Sequence, residues 1–398
     1  MKITGSKRLG QLGSAIFAEV AEWKREVMGQ GVDVIDLGIG SPDRPPSDRI
    51  RRALSDAVSD PNLYGYPTSE GSPAFRQTVA RWYRHRFGVE LDPAEEILTL
   101  MGSQDGLAHL AMALADPGDI CLVPDPGYPI YSASLAIAGV EAYTMPLRES
   151  NGFLPNLAEI PGDVAARAKF MILNYPSNPL SAVADLSFFE KAVAFAKNYD
   201  ILLVHDLAYS ELAFDGFRPM SVLEVEGAKE IAVEFHSLSK SFNMAGCRIA
   251  FLVGHAGAVG ALRTLKSNID YGVFQAVQAA GIAALEEDME SGHSVAPVYQ
   301  NRRDIVIDGL RQAGWDIPSP KATMFIWAPI PKGWTSRQIS REMLMRAGVV
   351  VIPGDAFGAE GEGYVRIALV ENEDRLMEAV RRIGSFLTRG CPKQEDSG

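Results

Sequence analysis

Between residues 119 and 254 the chain repeats one unit, a strand-length apolar run followed by a stretch with helical spacing. The apolar runs are DICLVP (119–124), KFMILNY (169–175), ILLVHD (201–206), VEFHSL (233–238) and RIAFLVG (248–254). Helical spacing falls at 72–87, 103–115, 185–199 and 256–268. Runs without polar alternation belong to strands buried on both faces. Such strands, separated by helices, form a mostly parallel sheet between helical layers. The pattern therefore predicts an α/β fold in which ligands bind at the carboxyl ends of the strands.

The flanks differ from this repeat. Residues 14–30 (SAIFAEVAEWKREVMGQ) have amphipathic helical spacing and lead through Gly31 into VDVIDLGIG. After residue 270 come a long helical region (273–313), MFIWAPI, a helix at 335–347, the short strands VVVIP and YVRIAL, and a helix at 372–388. The expected organisation is an N-terminal arm and helix (1–35), a large domain (36–275), a smaller α+β domain (276–390) joined by the arm, and a mobile polar tail (391–398).

A chain of 398 residues with 47% hydrophobic residues can bury a large core without metal or disulfide staples. A net charge of −12 excludes non-specific attraction to nucleic acid, which requires clustered Lys and Arg. Cys121, Cys247 and Cys391 lie far apart in no metal-binding spacing and read as reduced thiols. The start MKITGSKRLG has no signal-peptide core, and no apolar run approaches the roughly 18 residues of a membrane span. The expectation is a soluble cytoplasmic protein, acting on small molecules, with no membrane association.

The segment EFHSLSKSFNMAGCRIAF carries the most chemical information. A buried strand ends there and is followed at once by Ser237, Ser239 and Lys240, with Gly246 and Arg248 close behind. Hydroxyl groups and a guanidinium fork suit a phosphate dianion, and a lysine among apolar residues is a nucleophile at neutral pH. The segment resembles the cofactor-lysine motif of the fold type I, class I/II aminotransferases, the family of aspartate, alanine and LL-diaminopimelate aminotransferases. That resemblance implies pyridoxal 5'-phosphate carried on Lys240, with Ser237 and Arg248 binding its phosphate. The matching pieces recur in the family's order along nearly the whole chain.

VHDLAYSEL ends a strand at Asp206, with Tyr209 three residues on. By resemblance Asp206 keeps the pyridine nitrogen protonated while Tyr209 hydrogen-bonds the ring 3-oxygen. LNYPSNPLSA resembles the family's asparagine–proline loop and assigns Asn178 to the same oxygen. LMGSQDGLAHLAMAL reads as a strand end, a glycine turn and a helix start, and so as an anion site. There the resemblance places the phosphate at Ser103 and Gln104. By the same resemblance Tyr128 of DPGYPIY would stack on the ring and Tyr66 of YGYPTSEG would reach a neighbouring subunit's phosphate, which implies a homodimer with shared sites.

GYVRIALV sets Arg366 in an alternating strand, where its fork matches a substrate carboxylate. DLGIGSPD resembles the family's entry motif, whose backbone closes over substrate around Gly40. The implied reaction is ping-pong amino transfer, with Lys240 first a nucleophile and then the acid–base group. GSQDGLAHL, VPDPGYPIY, SNIDYGVF and HDLAYSELAFDG are most similar to bacterial LL-diaminopimelate aminotransferases and their relatives, although Gln104-Asp105 stands where Lys-Glu is common. Glutamate, aspartate, alanine and methionine are the other candidate donors. Lys266 sits roughly where aspartate aminotransferases read a distal carboxylate, and is expected to face solvent. Two alternatives share the fold: a carbon–sulfur β-lyase and a non-catalytic effector-sensing domain.

Overall fold

The computed structural model describes residues 5–12, 15–292 and 294–388. Cys391 and the tail 391–398, expected to be mobile, lie outside the described residues. The described chain leads through helix α1 (Ala15–Gly29) into the two-residue strand β1 (Ile35–Asp36). Helices α2 (Asp48–Val58) and α3 (Pro73–Phe87) follow. Ser47 and Ser72 cap them by accepting from the amides of Ile50 and Phe75, and Gly88, at φ 71°, ends α3.

Seven strands then form one sheet: β2 (Ile97–Leu100), β3 (Ile120–Asp125), β4 (Glu141–Pro146), β5 (Ala168–Asn174), β6 (Leu202–Asp206), β7 (Ala232–Ser237) and β8 (Ala250–Gly254). Their order is β2-β8-β7-β6-β5-β3-β4. The five strands from β7 to β4 are parallel, and β8 runs against both β7 and β2 at the opposite edge. All of β7 is buried, and all of β5 except Lys169, which is why these strands read as unbroken apolar runs. The edge strand β4 is largely exposed and left no such run.

Helices α4 (Ser103–Leu114) and α5 (Ile130–Ala138) cover one face, where Leu107, Leu110 and Leu135 meet Val123, Phe170 and Val204. On the other face Phe75, Val79 and Trp82 of α3 meet Met171, Leu203 and Phe251. The sheet between two helical layers is the α/β arrangement expected from the alternating runs. Because β5, β6 and β7 are parallel, Asn174, Asp206 and Ser237 all end at the same edge, and Asn174 pairs in register with Asp206.

A second sheet has the order β11-β12-β9, from β9 (Phe325–Pro329), β11 (Ile352–Pro353) and β12 (Tyr364–Ala368). β10 (Val349–Val350) pairs in parallel with β1, so Ile35 and Leu37 share a core with Ile326, Val365 and Leu376. α1 packs Val20 and Val27 against Leu344, Val350 and Phe357.

The helical region at 273–313 is two helices, Gln275–Ser291 and Ala296–Gln312, parted at Gly292. The expected boundary at 275/276 put the first of these in the small domain. Instead it packs on α2 and α3, with Ala280, Ala284 and Leu285 in the core of the large sheet. Helical periodicity shows that a face is buried but not which neighbour buries it.

Candidate active site

A cavity of about 1040 Å³ opens at the carboxyl edge of the large sheet, walled by α1 on one side and by β12 on another. Asp206 lies on its floor, 5% exposed, where β6 ends. The Tyr131 hydroxyl donates to Asp206 Oδ2 at 2.7 Å, whereas Oδ1 has no partner among the described residues. Burial pushes the carboxyl up from its ordinary range and the Tyr131 hydrogen bond opposes that push. Asn174 ties the neighbouring segments together. Its Nδ2 donates to the Asp206 carbonyl at 2.7 Å, and its Oδ1 accepts from the Asn178 amide at 2.8 Å.

Lys240 sits on the single turn Leu238–Ser241 directly after β7. Ser237 caps that turn by accepting from the Ser239 amide at 3.2 Å. The Lys240 ammonium donates to the Gly40 carbonyl at 2.5 Å. Burial pushes its pKa down to about 8, helped by the positive charges of Arg366 and Arg248. A free amine is thus accessible close to neutral pH, as a nucleophile or proton carrier requires.

Beside it lies an anion cradle. Helix α4 starts at Gly102, at φ 82°, and the buried Ser103 Oγ at its first turn has no partner among the described residues. A Cβ on Gly102 would collide with the Arg248 guanidinium, so only glycine allows this approach. Arg248 is itself left-handed, at φ 53°, a conformation that costs a non-glycine residue about 1 kcal/mol or more. Its Nη1 donates to the Ala245 carbonyl at 3.2 Å, and no carboxylate among the described residues pairs with it. A guanidinium, a free hydroxyl and a helix N-terminus together suit a dianion. Tyr128 closes this side by donating to Gln104 Oε1 at 3.2 Å.

Arg366, in the middle of β12, is 5% exposed. Its Nη1 donates to Asn178 Oδ1 at 2.8 Å and its Nη2 to the Gly38 carbonyl at 2.7 Å, while Nε is buried without a partner among the described residues. The guanidinium lies 4.3 Å from the Phe325 ring centre and 4.7 Å from that of Phe357. Burial pushes its pKa down to about 10, which still leaves it cationic at neutral pH. Two aromatic rings and two neutral acceptors hold the fork in place without cancelling its charge. The Tyr209 ring is 5.9 Å from that of Phe325, and burial raises its phenol above the ordinary range.

The model of the family described as aminotransferase class I and II matches residues 32–383 of this chain. The chain belongs to that family. It is 50% identical to the LL-diaminopimelate aminotransferase of Moorella thermoacetica over 382 residues, 96% of this chain and 98% of the relative. It is 49% identical to the enzyme of that name from Syntrophobacter fumaroxidans over 383 residues, 96% and 99% of the two chains. Substrate-bound BacF from Bacillus subtilis superposes with a TM-score of 0.92 at 40% identity, covering 97% of this chain and 98% of that one.

In this aminotransferase every site residue expected from the sequence lines the cavity except Tyr66. Tyr66 is 86% exposed, with its ring 4.9 Å from that of Tyr271. Lys266, expected to face solvent, is instead 1% exposed. It pairs with Asp105 at 2.9 Å and Asp270 at 2.7 Å, tying the first turn of α4 to the segment after its own helix. Sequence reasoning missed Tyr131 and Asn174. Tyr131 stands three residues after Tyr128, one helical turn on, and Asn174 ends a strand that was identified, so a signal existed for each.

Proposed function

We propose that the cavity holds pyridoxal 5'-phosphate and that the chain transfers the amino group of LL-diaminopimelate to a 2-oxo acid in two ping-pong half-reactions. The observation that carries this reading is the pairing of an unpartnered Asp206 Oδ1 with the Lys240 amine in one cavity. The donor assignment rests on the relatives of about half identity that bear that enzyme's name. The residues fit the cofactor: a buried carboxylate oxygen for a ring N–H, and a free Ser103 hydroxyl beside Arg248 for a phosphate.

When bound, the cofactor supplies a pyridinium ring that takes up the electron pair released at the substrate Cα. Asp206 holds the proton on the ring nitrogen, kept in orientation by Tyr131. Tyr209 and Asn178 would hold the ring 3-oxygen, Tyr128 would lie against the ring, and Ser103, Gln104, Ser237 and Arg248 would hold the phosphate. Arg366 offers its fork to the substrate α-carboxylate, already aligned by Asn178 and Gly38. The Lys240 amine, steadied by the Gly40 carbonyl, takes the Cα proton and returns it on the other side of the transfer. Phe325 and Phe357 keep water from the Arg366 face. The exposed Tyr66, beside Tyr271, reaches the phosphate of a second copy in a homodimer.

The test is to add single amino donors to the purified, cofactor-loaded protein and follow the cofactor's visible absorption band. LL-diaminopimelate should bleach it faster than glutamate, aspartate, alanine or methionine. Faster bleaching by another donor overturns the donor assignment alone. Release of pyruvate and ammonia from cystathionine without a 2-oxo acid would mark a β-lyase. Absence of any band overturns the role of Lys240.

A further inference from the structure

Behind Asp206, on the opposite face of β6, lies a buried charged network that the mechanism above does not use. His205 is fully buried, with Nδ1 2.7 Å from Glu234 Oε2 and Nε2 2.9 Å from the Tyr175 carbonyl oxygen. Glu234 is also fully buried and meets three more donors. The Tyr83 and Ser221 hydroxyls reach its Oε1 at 2.8 and 2.7 Å, and the Val222 amide reaches its Oε2 at 2.9 Å.

These partners constrain where the protons lie. The Val222 amide can only donate. Ser221 Oγ already accepts from the Leu223 amide at 3.0 Å, which leaves its proton for Glu234. Burial and the Glu234 charge hold the Tyr83 phenol well above its ordinary range, so it donates as well. Three donors besides His205 favour the ionised form of Glu234, in which the carboxylate acts only as an acceptor. His205 then faces a carboxylate at one nitrogen and a backbone carbonyl at the other. Beside an ionised Glu234 both nitrogens donate, and an imidazole that donates from both carries a positive charge.

We propose that His205 is an imidazolium paired with Glu234 and serves as a positioning residue for Asp206, a role that rests on the cofactor reading above. Its three strands are those that present the site. The Tyr175 carbonyl lies just past β5 and leads to Asn178, His205 precedes Asp206 on β6, and Glu234 lies on β7 three residues before Ser237. The imidazolium charge favours the ionised form of its neighbour and opposes the upward push that burial gives Asp206. The other charged or titratable groups around it do not compete. His236 on β7 is pushed down to about 3 by burial and is neutral, while Arg86 of α3 is paired with Glu211 at 3.0 Å. Removing the charge leaves the Tyr131 hydrogen bond as the main support for the ionised Asp206 on the cavity floor.

The deciding measurement is the proton count on His205. Nitrogen-15 spectra of histidine-labelled protein at pH 7.5, with the signal assigned by its loss in His205→Gln, should show both ring nitrogens protonated, with or without cofactor. A bare ring nitrogen on His205 overturns the proposal, and the visible cofactor band reports separately on the reading it rests on. In Glu234→Gln the imidazolium loses its counter-charge. There kcat at pH 8 should fall about tenfold and recover as pH is lowered, with KM for the amino donor unchanged. A loss of kcat by the same factor at every pH would mean a structural role only and would also overturn the proposal. Should Glu234→Gln fail to fold, the proton count in the unaltered protein still decides.

Discussion

Tyr131 and Asp206, 75 residues apart, are joined by a 2.7 Å hydrogen bond from the phenol to one carboxylate oxygen, while the other oxygen is left without a partner. The Tyr131 bond orients the carboxylate and leaves its second oxygen available to a ligand. Tyr131→Phe removes that donor with almost no change of volume. A hydrogen bond to a charged group contributes about 1.5–3 kcal/mol, so cofactor affinity should fall roughly tenfold or more. Equilibrium dialysis measures this, and an unchanged dissociation constant would remove Tyr131 from the site.

Arg366→Lys keeps the charge but replaces a planar fork with a point donor that cannot reach Asn178, Gly38 and a substrate carboxylate together. About 2.7 kcal/mol of carboxylate recognition is lost, which is roughly a hundredfold rise in KM for the amino donor. Steady-state kinetics should show kcat changing far less than KM. The reverse split would place Arg366 in the chemical step instead.

Lys240→Ala should abolish transamination, and it should also change how stability depends on pH. The folded state depresses the Lys240 pKa from 10.5 to about 8, so it binds that proton less tightly than the unfolded chain does. The wild-type protein without cofactor therefore gains stability as pH rises from 8 to 10.5, and is handicapped below 8. At pH 7 the variant should be the more stable of the two, by on the order of 3 kcal/mol, with the gap closing by pH 10.5. Urea unfolding of both proteins at pH 7 and pH 10 checks the sign.

Lys266→Met leaves the half-buried Asp105 and Asp270 without the buried cation they share. Removing one member of a buried ion pair costs about 3–5 kcal/mol, so the melting temperature should drop clearly. KM for LL-diaminopimelate should stay as it is, because the lysine is engaged within the protein. A rise in KM confined to dicarboxylic donors would instead show that Lys266 reads a distal carboxylate.

The large sheet was legible in the sequence because burial on both faces leaves unbroken apolar runs. The cofactor-lysine segment was legible because Ser237, Lys240 and Arg248 lie on one strand–turn–strand unit whose geometry is set locally. The helical spacing at 72–87 and 185–199 ends close to where Ser72, Gly88 and Asp185 cap the helices, because caps act over only three or four residues. The exposed edge strand β4 left no such pattern and was missed.

Local and periodic features were thus readable along the chain: which runs are strands, which faces are apolar, and which turn carries the reactive lysine. Only the tertiary structure decided the rest. It chose Tyr131 as the partner of Asp206, brought Gly38 to Arg366 across 328 residues, buried Lys266 between two aspartates, and set the helix Gln275–Ser291 against α2 and α3. The physical reason is that steric preference and hydrophobic period act over a few residues, whereas a side chain's partner is chosen by how whole layers close on one another. Any of several tyrosines could have met Asp206 by sequence alone, and the packing of α5 on the sheet selected one.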